Sequence, residues 1–502
     1  MLVGYPGSIA ATRQQMGRAG RRASTSLSIL IATPSPLDQY LVTHPEYFFG
    51  RSPEQARINP DALGLLAAHL TCAAFELPFE AGASFGTMEP ITPLLEALRA
   101  EGLLHASDKQ FTWVGETYPA QAVSLRTSTP DTVIIQTGGD TESEHSPAQV
   151  IGIVDRPSAA KLVHEGAIYF HAATPYKVTQ LDWEQGIAHV TPTETSYYTA
   201  AAEDTSVERL SLRRSIVYAD GTAQGVDIPV ETSTGSLNET GVTLTDEEVL
   251  VHTRPLAYRE VDLNTHETLG WGEIHLPEQV LETEACRLNI GQALVEALAQ
   301  EGTHLAPLDY GDDWPTIRAS ILKRDQHRCR LCNASAQPGH PLEVHHVTPL
   351  RTFLAAYPRA AAIKLAHAPD NLLTLCPTCH HKVERSRGAR TALSGLAYLL
   401  RTLAPVFLMC DPGDLGSLVQ ARDPETGLPS AIFYDAAPGG VGLTPQLLEL
   451  WPKLAQAALE RVSTCPCTGG CPSCVGPIGE NEASAKAAAQ HLLAILAGTH
   501  GQ

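Results

Sequence analysis

The spacing of apolar and polar residues changes several times along the chain, and each spacing predicts a different kind of element. An apolar run at Leu2–Tyr5 leads into a turn at Pro6-Gly7-Ser8, a helix through Arg22 and a second apolar run, Leu27–Ala32. From Asn59 to Val114, apolar residues recur at helical spacing in Ala62–Phe75 and Ile91–Glu101, followed by Gly102-Leu103-Leu104 and the strand-like Phe111–Val114. Helices closed by short strands in that order predict a winged-helix-like unit. Residues 130–280 are different. Thr132–Gln136, Val150–Val154, Ala167–His171, Tyr176–Gln180, Ile187–Thr191 and Leu210–Tyr218 are short, β-branched and separated by turn residues, which predicts a β-rich middle. Helical periodicity returns at Thr283–Glu301, stops, and returns at Arg390–Leu403. The interval predicts a domain inserted into a host. A strand at Ala431–Tyr434, a glycine-rich turn, a helix near Pro445–Ala458 and an alanine-rich C-terminal helix complete the pattern.

Charge sharpens this division. The chain has 502 residues and a net charge of −20, and that length allows about three domains. Residues 1–22 carry four arginines and no acid, and residues 315–390 carry twelve Lys/Arg against Asp325, Glu343, Asp370 and Glu384. A basic segment inside an acidic protein has the charge of a polyanion footprint or of a solvated basic face. No apolar run reaches the ~20 residues of a bilayer span, and no signal-peptide pattern precedes the first arginines. A cytoplasmic protein with no membrane partner is expected.

Eight of the eleven cysteines fall into two tight sets. Without a secretion signal, such sets predict metal ligands before disulfides. Cys329-Arg-Leu-Cys332 and Cys376-Pro-Thr-Cys379 are two C-x2-C knuckles, each able to turn two thiolates toward one ion. Four sulfurs close a tetrahedral zinc site with no position for water, so its role is structural. Cys465, Cys467, Cys471 and Cys474 crowd into ten residues around Gly469-Gly470; zinc is expected there, with an iron–sulfur cluster as the alternative. Cys72, Cys286 and Cys410 lie in apolar surroundings and are expected to be inert buried thiols.

Between the first two knuckles, the extended run Leu342-Glu-Val-His345-His346-Val347 precedes Thr348-Pro349, and neighbouring strand residues face opposite ways. Asn371 precedes Leu372–Leu375 and the second knuckle, and His380 follows Cys379 at a predicted helix start. Together these residues resemble the HNH endonuclease family, with its ββα-metal fold. The resemblance implies that His345 and His380 hold Mg²⁺ or another divalent cation, that His346 is the general base, and that Asn371 braces the loop aiming it. Arg351 and Lys382 are candidate phosphate contacts. His340 and His367 are expected on the surface or in loops, and His381 is left unassigned.

Two further resemblances frame that segment. Gln14-Gln-Met-Gly-Arg18-Ala-Gly-Arg21-Arg22 resembles motif VI of superfamily 2 helicases, implying that Gln14, Arg18 and Arg21 contact nucleotide when a motor is present. No P-loop or DEAH-like box is found, so ATP-driven unwinding is not expected of this chain alone; a separate motor subunit is a candidate partner. Phe433-Tyr-Asp435-Ala-Ala-Pro-Gly439-Gly440-Val-Gly442 with the second cysteine set, and the stretches Ile31–Asn59 and Gly152–Tyr198, resemble YprA-like (mitomycin repair factor type) helicases with their zinc-binding domain. That resemblance implies DNA as partner and a role in DNA repair. In the turn itself, Gly439-Gly440-Val441-Gly442 allows either a phosphate cradle or a simple turn.

The expected fold class is therefore multidomain α+β. Residues 1–58 are expected to form the end of a RecA-like α/β domain and 59–128 a winged-helix-like helical unit. Residues 129–302 are the β-rich part of a host zinc-binding domain, 303–390 an inserted ββα-metal HNH domain, and 391–502 a four-cysteine zinc-binding α/β module. The expected function is metal-dependent hydrolysis of DNA phosphodiester bonds; the alternative is a zinc-containing DNA-binding module or helicase accessory fragment without catalysis.

Overall fold

The computed structural model describes the chain apart from residues 21–24, 55–58, 60–61, 87–89, 108, 124–130, 139–148, 220–221, 225–240, 266, 301–309, 312, 337–340, 348–349, 351–352, 354–356, 421–422, 477–484 and 499–502, and apart from the side chains of 122, 297–300, 378 and 380–391. Arg21, Arg351 and His340, and the side chains of His380, His381 and Lys382, lie outside the described residues.

The N-terminal strands Leu2–Val3 and Leu30–Ile31 pair in parallel. The helix between them, Ile9–Met16, stops earlier than its pattern predicts because Gly17 caps it. Its N-terminus is held by Ser8 and by Glu54, whose carboxylate accepts from the Ile9 and Ala10 amides. Next, Leu66, Leu70 and Ala74 on Leu63–Glu76 pack against Leu95 and Leu98 on Thr92–Ala100 and against Leu104 and Phe111 of a three-stranded sheet. A five-stranded sheet follows, its Val133, Ile135, Val178, Ala188 and Val190 closed by the helix Arg156–Leu162.

The largest sheet is seven-stranded and antiparallel, with Tyr197–Ala219, Val242–Asp262, Gln279–Ile290, Ser430–Asp435 and Leu415–Gln420 side by side. Period two sorts its faces. Val242, Leu244, Cys286, Leu288 and Ile290 face the helices Pro377–Leu408, Leu443–Thr464 and Ala485–Leu496 and form the main core. The opposite face carries Glu247 and Arg287, both almost fully buried. Arg287 donates to Glu247 at 2.8 Å and also to buried Asp423, while Thr245 donates to Glu247 at 2.6 Å. Arg287→Met removes the buried cation shared by two buried carboxylates, leaving Glu247 with Arg209 and Thr245 and Asp423 with the Glu425 and Thr426 amides, and an equilibrium denaturation curve should show a loss of about 3 kcal/mol.

Two expectations change here. Thr283–Ile290 is not helical: it belongs to the strand Gln279–Ile290, and only Gln292–Gln300 forms a helix. Ala285, Cys286, Leu288 and Ile290 fit either spacing. Pairing on both sides, with Val242–Thr253 and with Ser430–Tyr434, decides for the strand. The glycine-rich turn is a simple turn. The Gly439, Gly440 and Val441 amides are consumed by Glu282, Ala437 and Asp435, and a Cβ on Gly440 would lie 2.6 Å from Glu284. Asp435 also accepts from Leu443 and Thr444, so it caps the following helix across the turn. Of the cysteines outside the clusters, Cys286 and Cys410 are buried and Cys72 is half-buried.

The inserted segment leaves the host after Gln292–Gln300 and returns through one continuous helix, Pro377–Leu408. The first turn of that helix carries Cys379, and its far end carries Leu396, Leu400 and Leu403 of the main core. Insert and host therefore share one helix. Lys364 of the insert adds a contact with Glu273 at 3.2 Å and lies over the Trp271 ring of the host sheet. No helix among the described residues is long and apolar enough to cross a membrane.

Candidate active site and zinc centres

The insert is built around a hairpin of two short strands, Glu343–His346 and Leu372–Leu375, whose register pairs His345 with Leu373 and His346 with Leu372. The helix Pro377–Leu408 follows directly, giving the strand–strand–helix order expected of the segment. Pro377 at the first helical position and the Cys376 sulfur, which accepts from the Cys379 amide, start that helix beside the hairpin.

Cys329, Cys332, Cys376 and Cys379 converge with all four sulfurs within 4.8 Å of one another. The first knuckle turns through Asn333 in the left-handed region (φ 61°), whose amide donates to the Cys329 carbonyl. The Arg330 amide donates to Thr374, tying the knuckle to the second strand. Burial pushes the Cys329 thiol up, but the Cys376, Cys332 and Leu331 amides outweigh it and bring the pKa down to about 6. Four sulfurs gathered this closely form the donor set of a closed tetrahedral Zn²⁺ site.

The second cluster is as tight: Cys465, Cys467, Cys471 and Cys474 have sulfur–sulfur contacts of 3.5–3.7 Å. Three helices hold it. Lys486 donates to the Cys465 and Cys467 carbonyls at 2.6 and 2.7 Å, Arg461 to the Ser473 carbonyl and Tyr398 to the Pro472 carbonyl. Its donor set is also that of a structural zinc site.

His345 and His346 are both buried, at 6% and 5% exposure. The Val347 amide donates to the Asn371 carbonyl at 2.8 Å, and the Asn371 side chain donates to the Ala366 carbonyl at 2.8 Å. Asn371 thus joins the end of the histidine strand to the loop that enters the second strand. The structure brings His345, His346, Asn371 and the first four-cysteine cluster into one small unit. Gln14 and Arg18, by contrast, are exposed at the far N-terminus.

Several residues were missed or misplaced by sequence reasoning. His367, expected at the surface, is buried in a ring cluster with Tyr310, Trp314 and His346, and burial holds its pKa below the ordinary imidazole value. Its position at the C-terminus of Arg359–Ala366 aims it inward, which the sequence of an alanine-rich helix does not reveal. Asp325 is buried and accepts from the Thr374 amide at 3.1 Å and from Arg324 at 2.8 Å, while Arg324 also donates to the Leu372 carbonyl. This pair clamps Trp314–Arg324 to the second strand. Burial pushes the Asp325 carboxyl up, but Arg324 and Thr374 outweigh it and its pKa falls below the usual value. The stabilisation is therefore present above the unfolded carboxylate pKa of about 3.9 and lost as pH falls through the lower folded value. Asp325→Asn should cost about 1.5–3 kcal/mol in denaturation at neutral pH, with the deficit shrinking toward acid pH.

Residues 329–386 match the HNH endonuclease family, 396–475 the MrfA Zn-binding domain, and 58–128 the winged helix domain of ATP-dependent helicase HRQ1. Both cysteine clusters are accordingly zinc-binding sites, the second lying within the matched zinc-binding domain. The ATP-dependent helicase YprA of Bacillus subtilis is 32% identical over 476 residues, covering 95% of this chain and 48% of that protein. A type IV methyl-directed restriction enzyme of Escherichia coli, EcoKMcrA, is 32% identical over 87 residues, 16% of this chain and 27% of that enzyme. The crystal structure of the DUF1998 helicase MrfA superposes with a TM-score of 0.52 at 26% identity, covering 98% of this chain and 53% of that one. The chain spans about half the length of these helicases. Along nearly all of its length the chain is similar to about half of a YprA/MrfA-like helicase, including its winged helix and zinc-binding domains, and it carries in addition a segment that matches the HNH endonuclease family.

Proposed function

We propose that the inserted segment is a metal-dependent endonuclease that hydrolyses DNA phosphodiester bonds, carried by the zinc-binding half of a DNA-repair helicase. The observation that carries this reading is the convergence of His345, His346 and Asn371 on one hairpin beside a four-cysteine zinc site, in a segment that matches the HNH family. His346 takes the proton of the attacking water, and Asn371 holds the end of the strand on which His346 sits through the Val347 amide. His345 and His380 would hold a divalent ion, which supplies charge neutralisation at the phosphate and the leaving oxygen. The sulfur-bound zinc holds the hairpin and helix together and takes no part in bond breaking.

On this reading residues 1–58 are the end of a RecA-like domain, 59–128 a winged-helix-like unit, 129–302 and 391–502 the host, and 303–390 the nuclease. Gln14, Arg18 and Arg21 contact nucleotide only when a motor partner completes the site. The test is supercoiled plasmid with Mg²⁺ or Mn²⁺, with and without EDTA. Nicking that EDTA stops supports the nuclease; retarded but uncut plasmid supports a binding module instead.

A further inference from the structure

Three rings pack on the His346 imidazole. Tyr310 stacks on it with centroids 5.1 Å apart and planes 8° from parallel. Trp314 stacks on it at 4.9 Å and 22°, and Tyr310 and Trp314 stack on each other at 5.1 Å. His367 meets the same imidazole at 5.3 Å, tilted by 38°. Tyr310 and Trp314 can both reach one ring because the chain turns between them at Gly311, which has a φ of +83° and accepts from the Trp314 amide. Trp314 is the first residue of a helix that Arg324 and Asp325 fasten to the second strand. The stack is therefore carried on a helix whose far end is fastened to the second strand.

A general base needs one nitrogen held toward the attacking water, and a misplacement of about 1 Å can cost about 100-fold in rate. The backbone fixes only where the His346 side chain starts. Rotation about its two side-chain torsions is limited by what lies against the ring. We propose that Trp314 and Tyr310 are positioning residues for His346: their stacked rings fix the plane of the imidazole so that its edge, not its face, meets substrate. Neither residue contacts the reacting atoms. The inference rests on the assignment of His346 as the base, and it adds two residues outside the HNH signature.

The experiment compares Trp314→Ala, Trp314→Phe, Tyr310→Ala and His346→Ala in the full chain. It reads kcat and KM for plasmid nicking, zinc content and the thermal unfolding midpoint. Trp314→Ala should lower kcat about 10- to 100-fold with KM nearly unchanged, and Trp314→Phe, which retains a stackable ring, should recover most of the rate. Zinc content should stay at the wild-type level in all four. If Trp314→Ala loses zinc or its unfolding midpoint collapses, Tyr310→Ala and Trp314→Phe become the deciding pair, since each removes less packing. Unchanged kcat in Tyr310→Ala together with no rate difference between the Phe and Ala variants at Trp314 overturns the inference. A rate increase in either alanine variant also overturns it, because the rings would then cover the base. If His346→Ala cuts like the wild type, the base assignment itself has failed. An inactive His346→Ala beside fully active ring variants refutes the positioning role alone.

Discussion

His346→Ala should lower the rate of plasmid cleavage by about 10²–10⁴-fold, the range expected for loss of a general base, while both zinc ions should remain bound. The two parts of this result come from different parts of the insert. His346 lies in the strand Glu343–His346, whereas the four sulfurs come from the knuckles at Cys329–Cys332 and Cys376–Cys379. Removing the imidazole leaves the sulfurs and their backbone supports in place, notably the Arg330 amide on Thr374 and the Cys379 amide on the Cys376 sulfur. Zinc measured by mass spectrometry and cleavage measured on gels therefore separate. Joint loss of zinc and cleavage would point to a folding defect, and undiminished cleavage would remove His346 from the chemistry.

Cys474→Ser has the larger structural effect, and it falls on the host. Cys474 is fully buried, and its cluster is the point at which Tyr398, Arg461 and Lys486, from three different helices, bond to one short loop. A structural zinc contributes roughly 10–16 kcal/mol of apparent binding energy in small zinc peptides, against the roughly 5–15 kcal/mol that stabilises an ordinary domain. The variant should bind about one zinc per chain instead of two, and the helical layer over the seven-stranded sheet should lose its cooperative unfolding transition. Calorimetry with zinc analysis checks this. A variant that keeps the wild-type midpoint while binding one zinc would show that packing of Leu396, Trp451 and Leu492 suffices without the metal.

These centres were legible in the sequence because metal ligation needs particular residue types at short spacing. Both cysteine sets converge as the spacing implies. The strand Glu343–His346 follows from the extended run that contains it, and the helix expected to start at His380 starts three residues earlier, at Pro377. What was not legible depends on distant pairing. Thr283–Ile290 has side chains that fit a helix or a strand, and only its neighbours in the sheet, more than 30 residues away on one side and more than 140 on the other, select the strand. His367 and Trp314 are 21 and 32 residues from His346 and carry no motif. Their meeting depends on where two helices end. The Arg287–Glu247–Asp423 network is equally nonlocal, joining two strands and a loop.

The most direct measurement is cleavage of supercoiled plasmid by the zinc-replete full chain in ¹⁸O-labelled water with added Mg²⁺, followed by mass analysis of the new DNA ends. Hydrolysis by the insert predicts one ¹⁸O atom on the phosphate terminus of each nick, none on the hydroxyl terminus that leaves, and no nicks once the added ion is chelated. Plasmid that is bound and retarded by the protein yet recovered supercoiled and unlabelled would contradict the account.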